Sequence, residues 1–409
     1  MAARRRREAP PESEVDDIWT LASSAATGDD PGSSEAKADD VVEAGSSKTG
    51  VSLVRQHETY TLFVGQKQAG KSTLITAFHN PTKEDVPKPT VALEYLFARR
   101  STAANQPKDV AHIWELGGGL RLSALVSVPI TPRTVGKAVV AVVVDLSQPQ
   151  NLVYSISQWL QILRQRADEC LAELRTNDPA AADAVLQAAS ARFPDDHPDR
   201  SAVRPLPIAT LIVANKLDVF RDQDQVQKKT TFQMLRFVAH HHGAALLTVG
   251  AKDKMSQNNL RTQLTSLLFS SSSGKSSKKE VGPEKPIVVP AGSDSFEDIF
   301  KAGVPSARNF SAAKGDFIDP RTGGATAEAL PTWGRVMEDF FGEAAPGEED
   351  TPATSPQDGM DVVGVTSHAP FTYIYTLYLM LTLMLMLMLM YAWAIRSFCY
   401  RARKRKNAI

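Results

Sequence analysis

The sequence predicts an α/β domain built on a doubly wound, mostly parallel sheet. Strand-length apolar runs recur at 59–65, 91–97, 110–116, 138–146, 207–215 and 244–250, and helix-forming stretches at 71–79, 151–177, 180–192, 228–241 and 256–269 separate them. Alternation of this kind is the pattern of strands joined by crossover helices. The run AVVAVVVDL at 138–146 is apolar without interruption until Asp145, which suits a strand buried on both faces. The long helical interval between Asp145 and Pro207 predicts an inserted or lengthened helix pair.

The first strand runs into a phosphate loop. Gly65-Gln66-Lys67-Gln68-Ala69-Gly70-Lys71-Ser72 matches G-x-x-x-x-G-K-[ST] between a strand end at Val64 and a helix start at Lys71. Glycines let backbone N–H groups wrap a phosphate, and the helix N-terminus adds partial positive charge. The expected phosphate-binding residues are Gly65, Gln68, Ala69, Gly70, Lys71, Ser72 and Thr73, with Lys71 bridging the outer phosphates and Ser72 holding Mg²⁺. A Ras-like P-loop domain over 58–269 follows, with GTP or GDP plus Mg²⁺ as its cofactor.

Asn215-Lys216-Leu217-Asp218 ends the strand at 207–214 and matches N-K-x-D. Asp218 would accept hydrogen bonds from the guanine N1 and N2 edge, which adenine lacks. Lys216 would lie over the base and Asn215 would tie this loop to the phosphate loop. Gly250-Ala251-Lys252, after the next strand, fits a backbone loop touching the guanine oxygen, which adds Ala251 and Lys252 to the base-binding set.

Hydrolysis is a different matter. A switch that cleaves GTP needs an Asp to hold the Mg²⁺ shell and a Gln to orient water. The equivalent stretch is Glu115-Leu116-Gly117-Gly118-Gly119: Glu115 is a methylene longer than Asp, and Gly119 stands where the water-positioning side chain belongs. Thr90, in PKPTVALEY, is the candidate Mg²⁺-contacting threonine of the first switch, giving Ser72, Thr90 and Glu115 as the Mg²⁺ set. No catalytic residue is assigned. His240-His241-His242 closes a helical run before Gly243, and reads as cationic or dipolar residues in a last turn followed by a glycine cap, not as a metal site.

The rest of the chain bounds the function. With 46 Lys+Arg against 46 Asp+Glu in 409 residues, there is no net basic charge for a nucleic-acid partner. Two cysteines, Cys170 and Cys399, are too few for a disulfide framework or a metal knuckle. Arg4 to Arg7 are followed by no apolar stretch, so no secretory signal is expected and a reduced, cytosolic protein is the default. Residues 1–57 read as a disordered arm with one apolar island at Ile18-Trp19-Thr20-Leu21. Residues 270–286 read as a flexible linker, 287–341 as short segments that pack onto the domain or a partner, and 342–370 as a disordered acidic linker.

Several stretches together resemble a known family: PKPTVALEYLFARR, PKDVAHIWELGGG, LVSVPIT with VVDLSQP after it, DHPDR, and LRFVAHHHGAALL. They are similar to dynein light intermediate chains of the cytoplasmic dynein 2 type, over roughly 58–341, with further similarity at DDIWTLA, at AGSDSF and at 333–341. The resemblance implies a non-catalytic motor subunit that binds and stabilises the dynein 2 heavy chain for retrograde intraflagellar transport and cilium assembly. It implies other dynein 2 subunits and the intraflagellar transport machinery as partners, and the cytoplasm, cytoskeleton and cilium or flagellum, basal body included, as the location. It also implies a nucleotide site that serves mainly as structural filling. The residues themselves leave two other readings, a GTP-binding switch and a membrane-anchored adaptor.

Residues 371–395, FTYIYTLYLMLTLMLMLMLMYAWAI, carry no charge and are long enough to cross a bilayer; Arg396, Arg401, Arg403, Lys404, Arg405 and Lys406 follow in the basic tail 396–409. That basic flank would hold the C-terminus in the cytosol, where a nucleotide-type domain must also lie, and one span cannot satisfy both. The family carries no such segment. A membrane anchor, a translated nucleotide repeat beyond the natural end and a partner-facing helix all remain open.

Overall fold

The computed structural model describes residues 57–80, 87–100, 108–269, 278–282, 285–305 and 312–345. The island at 18–21, the arginines at 4–7, Cys399 and the apolar run 371–395 lie outside the described residues. Among the described residues no helix is long and apolar enough to cross a membrane.

Seven strands form one sheet in the order β2-β3-β1-β4-β5-β6-β7. In chain order the elements are β1 (Glu58–Gly65), α1 (Lys71–His79), β2 (Leu93–Arg100), β3 (Asp109–Leu116), β4 (Ala138–Asp145), α2 (Leu152–Asn177), α3 (Pro179–Ser190), β5 (Ala209–Asn215), α4 (Gln225–His241), β6 (Ala245–Thr248), α5 (Lys254–Leu268), β7 (Val288–Val289), α6 (Phe296–Phe300) and α7 (Ala329–Phe341). Strands β3, β1, β4, β5 and β6 run parallel, while β2 and β7 close the two edges antiparallel. All eight residues of β4 are buried, as its unbroken valine run predicts for a central strand covered on both faces.

One apolar layer packs α2 and α4 against Leu62, Val140, Val142 and Ile212. A second packs α1 and α5 against Phe63, Ile113, Val143 and Leu247. The alternation of these residues along β1 and β4 assigns them to opposite faces. The helix pair expected between Asp145 and Pro207 is present as α2 and α3. Asp178 separates them, and its carboxylate caps α3 by accepting the Ala181 N–H at 3.0 Å, with Pro179 at the first helical position.

One sequence expectation needs amendment, and one that left two alternatives open is decided. The strand expected at 91–97 lies at Leu93–Arg100, because its register is set by pairing with β3 from Leu93 opposite Leu116 to Arg100 opposite Asp109. Val91 is left 86% exposed. The strand therefore ends in two arginines, whose polarity concealed it from an apolar count. The segments at 287–341 pack back on the domain. Ile287, Val289, Phe296, Phe300, Phe317 and Trp333 enter the first layer, and Phe237 of α4 meets Phe296 and Trp333 at ring distances of 5.4 and 5.9 Å. Burying such rings stabilises by roughly 1.5–3 kcal/mol each, which short segments cannot gain alone.

His240 is buried, and His241 and His242 are half-buried beside it. His240 Nε2 lies 2.8 Å from Asp199 Oδ2, and Gly243 follows in the left-handed conformation at φ 61°. Burial, followed by nearby positive charge, lowers His241 to about 4 and His242 to about 3. Both are neutral at neutral pH, so the expected cationic contribution to the helix end does not arise from them; they fill space against Phe237 and each other.

Candidate functional site

The phosphate-loop residues come together at the carboxyl end of β1, between β3 on one side and β4 on the other, where an open α/β sheet leaves a crevice. Gly65 sits at φ 145°, and a Cβ there would stand 2.0 Å from the Val143 carbonyl oxygen. Gly70, at φ 94°, would put a Cβ 2.3 Å from Asn215 Nδ2. Both positions thus require glycine for close approach as well as for conformation. Helix α1 begins immediately after, so Lys71 and Ser72 occupy its first turn, at the positive end of the helix dipole.

The polar side chains of this loop bond to its own backbone and to β3. Lys71 is buried, and its Nζ donates to the carbonyls of Gly65 at 3.1 Å and Gln66 at 2.9 Å. The Ser72 hydroxyl donates to Glu115 Oε1 at 2.6 Å. Burial pushes the Glu115 carboxyl above its ordinary range, opposed by the Ser72 hydroxyl, the Lys71 charge and the Thr90 hydroxyl. Ser72, Thr90 and Glu115 therefore do converge, and oxygen donors of this kind suit Mg²⁺. Gly117 donates its N–H to Ala92 at 2.7 Å, which holds the first-switch segment against the Glu115 loop. Gly119 is buried at φ 56° at the start of a 3₁₀ segment, Gly119–Ser127, and offers no side chain to orient water.

The base loop meets the phosphate loop through one bond that the sequence anticipates. Asn215 Nδ2 donates to the Ala69 carbonyl at 2.8 Å, in a buried setting. Asp218 Oδ1 accepts the Ala251 N–H at 3.2 Å, which brings the two halves of the expected base-binding set into contact. Lys216 adopts φ 63° and its ammonium is held by the buried Asp145 carboxylate. Lys252 is exposed and lies outside the lining of the adjoining cavity.

Two cavities flank Gly70. One of about 650 Å³ is lined on the phosphate side by Lys67, Lys71, Ser72, Thr73, Thr90 and Glu115, with Lys88 and Arg121 also on its wall. The other, about 360 Å³, is lined by Asn215, Lys216, Asp218, Gly250 and Ala251. Gln68, Gly70 and Thr73 line both, so the two form one elongated crevice with a cationic and a base-sized end. The donor set and the glycine cradle fit a nucleotide polyphosphate. Three contributors of two kinds escaped the sequence reading. Lys88 and Arg121 are the first, since cations on loops have no spacing signature. Asp145 is the other, and its signal was available: a carboxylate closing an otherwise apolar strand opposite Asn215 in register.

Comparison with known proteins agrees with this architecture. Residues 61–176 match the family profile described as Roc, the Ras of Complex domain of DAPkinase. The chain is 37% identical over 241 residues to "Cytoplasmic dynein 2 light intermediate chain 1" of Danio rerio, covering 58% of this chain and 64% of that protein. The Homo sapiens protein of the same name is 36% identical over 248 residues, 61% of this chain and 69% of the relative. The Bos taurus one is 36% identical over 266 residues, 65% and 74% respectively. A crystal structure of a dynein light intermediate chain's conserved domain superimposes over 72% of this chain and 95% of that one, at a TM-score of 0.47 and 15% identity. With identities above one third across more than two thirds of the human and bovine proteins, the chain belongs to the cytoplasmic dynein 2 light intermediate chain family.

Proposed function

We propose that this chain is a non-catalytic light intermediate chain subunit of the cytoplasmic dynein 2 motor. In this reading it binds and stabilises the heavy chain, together with the other dynein 2 subunits and the intraflagellar transport machinery, for retrograde transport and cilium assembly. It acts in the cytoplasm, at the cytoskeleton and in the cilium or flagellum. The observation that carries the non-catalytic part is the Glu115–Gly119 stretch, where Glu115 is bonded to Ser72 and Gly119 supplies no water-positioning group. Losing that group costs several kcal/mol of transition-state stabilisation in enzymes of this type.

The crevice is assigned to GTP or GDP with Mg²⁺. Gly65, Gln68, Ala69, Gly70, Lys71, Ser72 and Thr73 hold phosphates; Ser72, Thr90 and Glu115 hold the metal; Asn215, Lys216, Asp218 and Ala251 hold the base, with Lys252 left out of that set because it lies outside the cavity lining. Bound nucleotide would draw Lys71 from the loop carbonyls and Ser72 from Glu115, replacing internal bonds with ligand bonds. A slow switch is the second reading, favoured by the intact Asn215–Ala69 tie. Affinity isolation of the full chain from ciliated cells, with nucleotide analysis of the isolate, tests both. The subunit reading expects a very large heavy chain in the isolate and no measurable turnover. Multiple turnovers by the purified chain, or an isolate without a motor, would overturn it.

A further inference from the structure

Strand β2 is an open edge. Its eight residues pair with β3 on one side and, among the described residues, with nothing on the other. That is longer than the usual five or six, and an unprotected edge of such length is a template for a further strand. Tyr95 and Phe97 remain 48% and 47% exposed along it. They share one face with Arg99, while Leu96, Ala98 and Arg100 take the other. The first face continues inward as an aromatic ladder: Tyr95 meets the Trp114 ring at 4.7 Å, its hydroxyl lies 2.9 Å from His112 Nδ1, and His112 stacks on Tyr60 at 4.8 Å. The Arg99 guanidinium covers Phe97 at 4.9 Å.

An open groove of about 970 Å³ runs beside the strand between α1 and α5, and its lining contains Arg99, Arg100 and Arg261 but no carboxylate. Arg100 Nη1 and Arg261 Nε are buried without a hydrogen-bond partner among the described residues. Arg261 Nη2 donates to the Ala77 carbonyl at 3.0 Å, and Asp109 stands opposite Arg100 in register, so the cationic excess centres on the groove. The edge therefore combines backbone groups in strand geometry, exposed aromatic area and a groove of net positive charge.

We propose that the β2 edge docks an extended acidic–apolar segment of another polypeptide, added as an antiparallel strand. Two adjacent carboxylates lie opposite Arg99 and Arg100, and alternating apolar side chains lie opposite Phe97 and Tyr95. A helix laid on this edge would leave the strand's N–H and C=O groups unmet, whereas an added strand bonds them and takes specificity from alternate side chains. A second copy of the same edge offers the three arginines only Glu94 from its own β2, fewer carboxylates than the charge requires.

The test uses the full chain and a fluorescein-labelled peptide carrying two adjacent aspartates followed by alternating threonine and valine, with tryptophan replacing one valine, so that the apolar positions fall opposite Phe97 and Tyr95. Saturable anisotropy is expected, weakening with salt, together with slowed amide exchange at 93–100. Reversing both charges, Arg99→Glu with Arg100→Glu, weakens the peptide by about tenfold or more. The same variant binds a peptide with lysines in place of the aspartates better than the native chain does, a gain that misfolding cannot mimic. Absence of saturable binding, equal affinity for native and reversed chains, or protection outside β2 overturns the proposal. Concentration-dependent protection of β2 without peptide also overturns it, by showing that a second copy is the occupant. Neither nucleotide nor motor enters the assay, so its result is independent of the functional reading above.

Discussion

The nucleotide-type crevice and the polar cluster beneath α6 use the same kinds of side chain for opposite ends. In the crevice, Lys71 bonds loop carbonyls, Ser72 bonds Glu115 and Lys216 bonds Asp145, all beside open volume. In the cluster, Asp294 accepts two hydrogen bonds from Arg236 at 2.7 Å each and pairs with Lys279 at 2.9 Å. Asp199 accepts from the Phe296 N–H at 2.7 Å while facing His240, and His197 Nε2 lies 2.8 Å from the Asp294 carbonyl. The crevice groups can exchange partners because space adjoins them. The cluster groups surround the buried Asp294 carboxylate and are mostly removed from solvent, so they lock the accessory segment at 291–300 to α4 and to the loop at 196–200. Three stretches that carry the family resemblance, DHPDR, LRFVAHHH and AGSDSF, thus meet at one place far from the phosphate loop in sequence.

The sharpest way to break this contrast is Asp294→Ala. It strands the Arg236 guanidinium, which is only 13% exposed, and removing one partner of a buried pair costs about 3–5 kcal/mol. Chemical denaturation reads that loss, and a change under about 1 kcal/mol would show the cluster to be dispensable. In the crevice, Lys71→Ala should leave the melting transition nearly unchanged while weakening GDP by roughly tenfold or more, read by equilibrium binding. If both quantities fall together, the crevice is as structural as the cluster.

Acid separates the two regions further. His241 and His242 have folded-state values near 4 and 3, depressed chiefly by burial with Arg164 close by. The unfolded chain binds protons first, so stability is full above pH 6.5 and declines as pH falls toward 4. The decline is limited to about 1.4 kcal/mol per pH unit per histidine. Unfolding midpoints measured from pH 7 to 5 should fall, and His242→Gln should flatten the slope. Asp199 and Asp294 act lower: burial raises each, but hydrogen bonds from His240 and Phe296, and from Arg236 and Lys279, outweigh it. Their stabilisation is present above about pH 3.8 and is lost below it.

Smaller effects sharpen the crevice itself. Asp218→Ala should reduce the preference for GDP over ADP by about tenfold, with Lys71 contacts intact. Glu115→Asp shortens the carboxylate by one methylene and should raise the Mg²⁺ dependence of binding by a few-fold, measured by titration with and without chelator. An unchanged Mg²⁺ dependence would remove Glu115 from the metal set.

Much of the site was legible beforehand because its signals are local. The Gly65–Ser72 spacing, the strand before it and the Asn215-Lys216-Leu217-Asp218 turn each declare themselves within a few residues, and the Asn215–Ala69 bond joins them as expected. The Lys216–Asp145 pair was not legible, because the two residues lie 71 positions apart. The helix pair at α2 and α3 was readable from periodicity and the Asp178-Pro179 boundary. The extent of β2 was not, since pairing with β3, and not its own apolarity, sets its ends.

What the sequence alone determined is bound to short spacing: a P-loop-type glycine pattern on a parallel α/β sheet, an Asn-Lys-x-Asp turn, and a switch stretch without its Asp and Gln. Tertiary structure decided what depends on distant partners. It made His241 and His242 neutral by burial, gathered Asp199, Arg236 and Asp294 into one lock, and left the arginines of β2 facing an open edge. Local backbone rules act over a few residues and can be read directly, whereas burial and charge pairing act between groups brought together only when the chain folds.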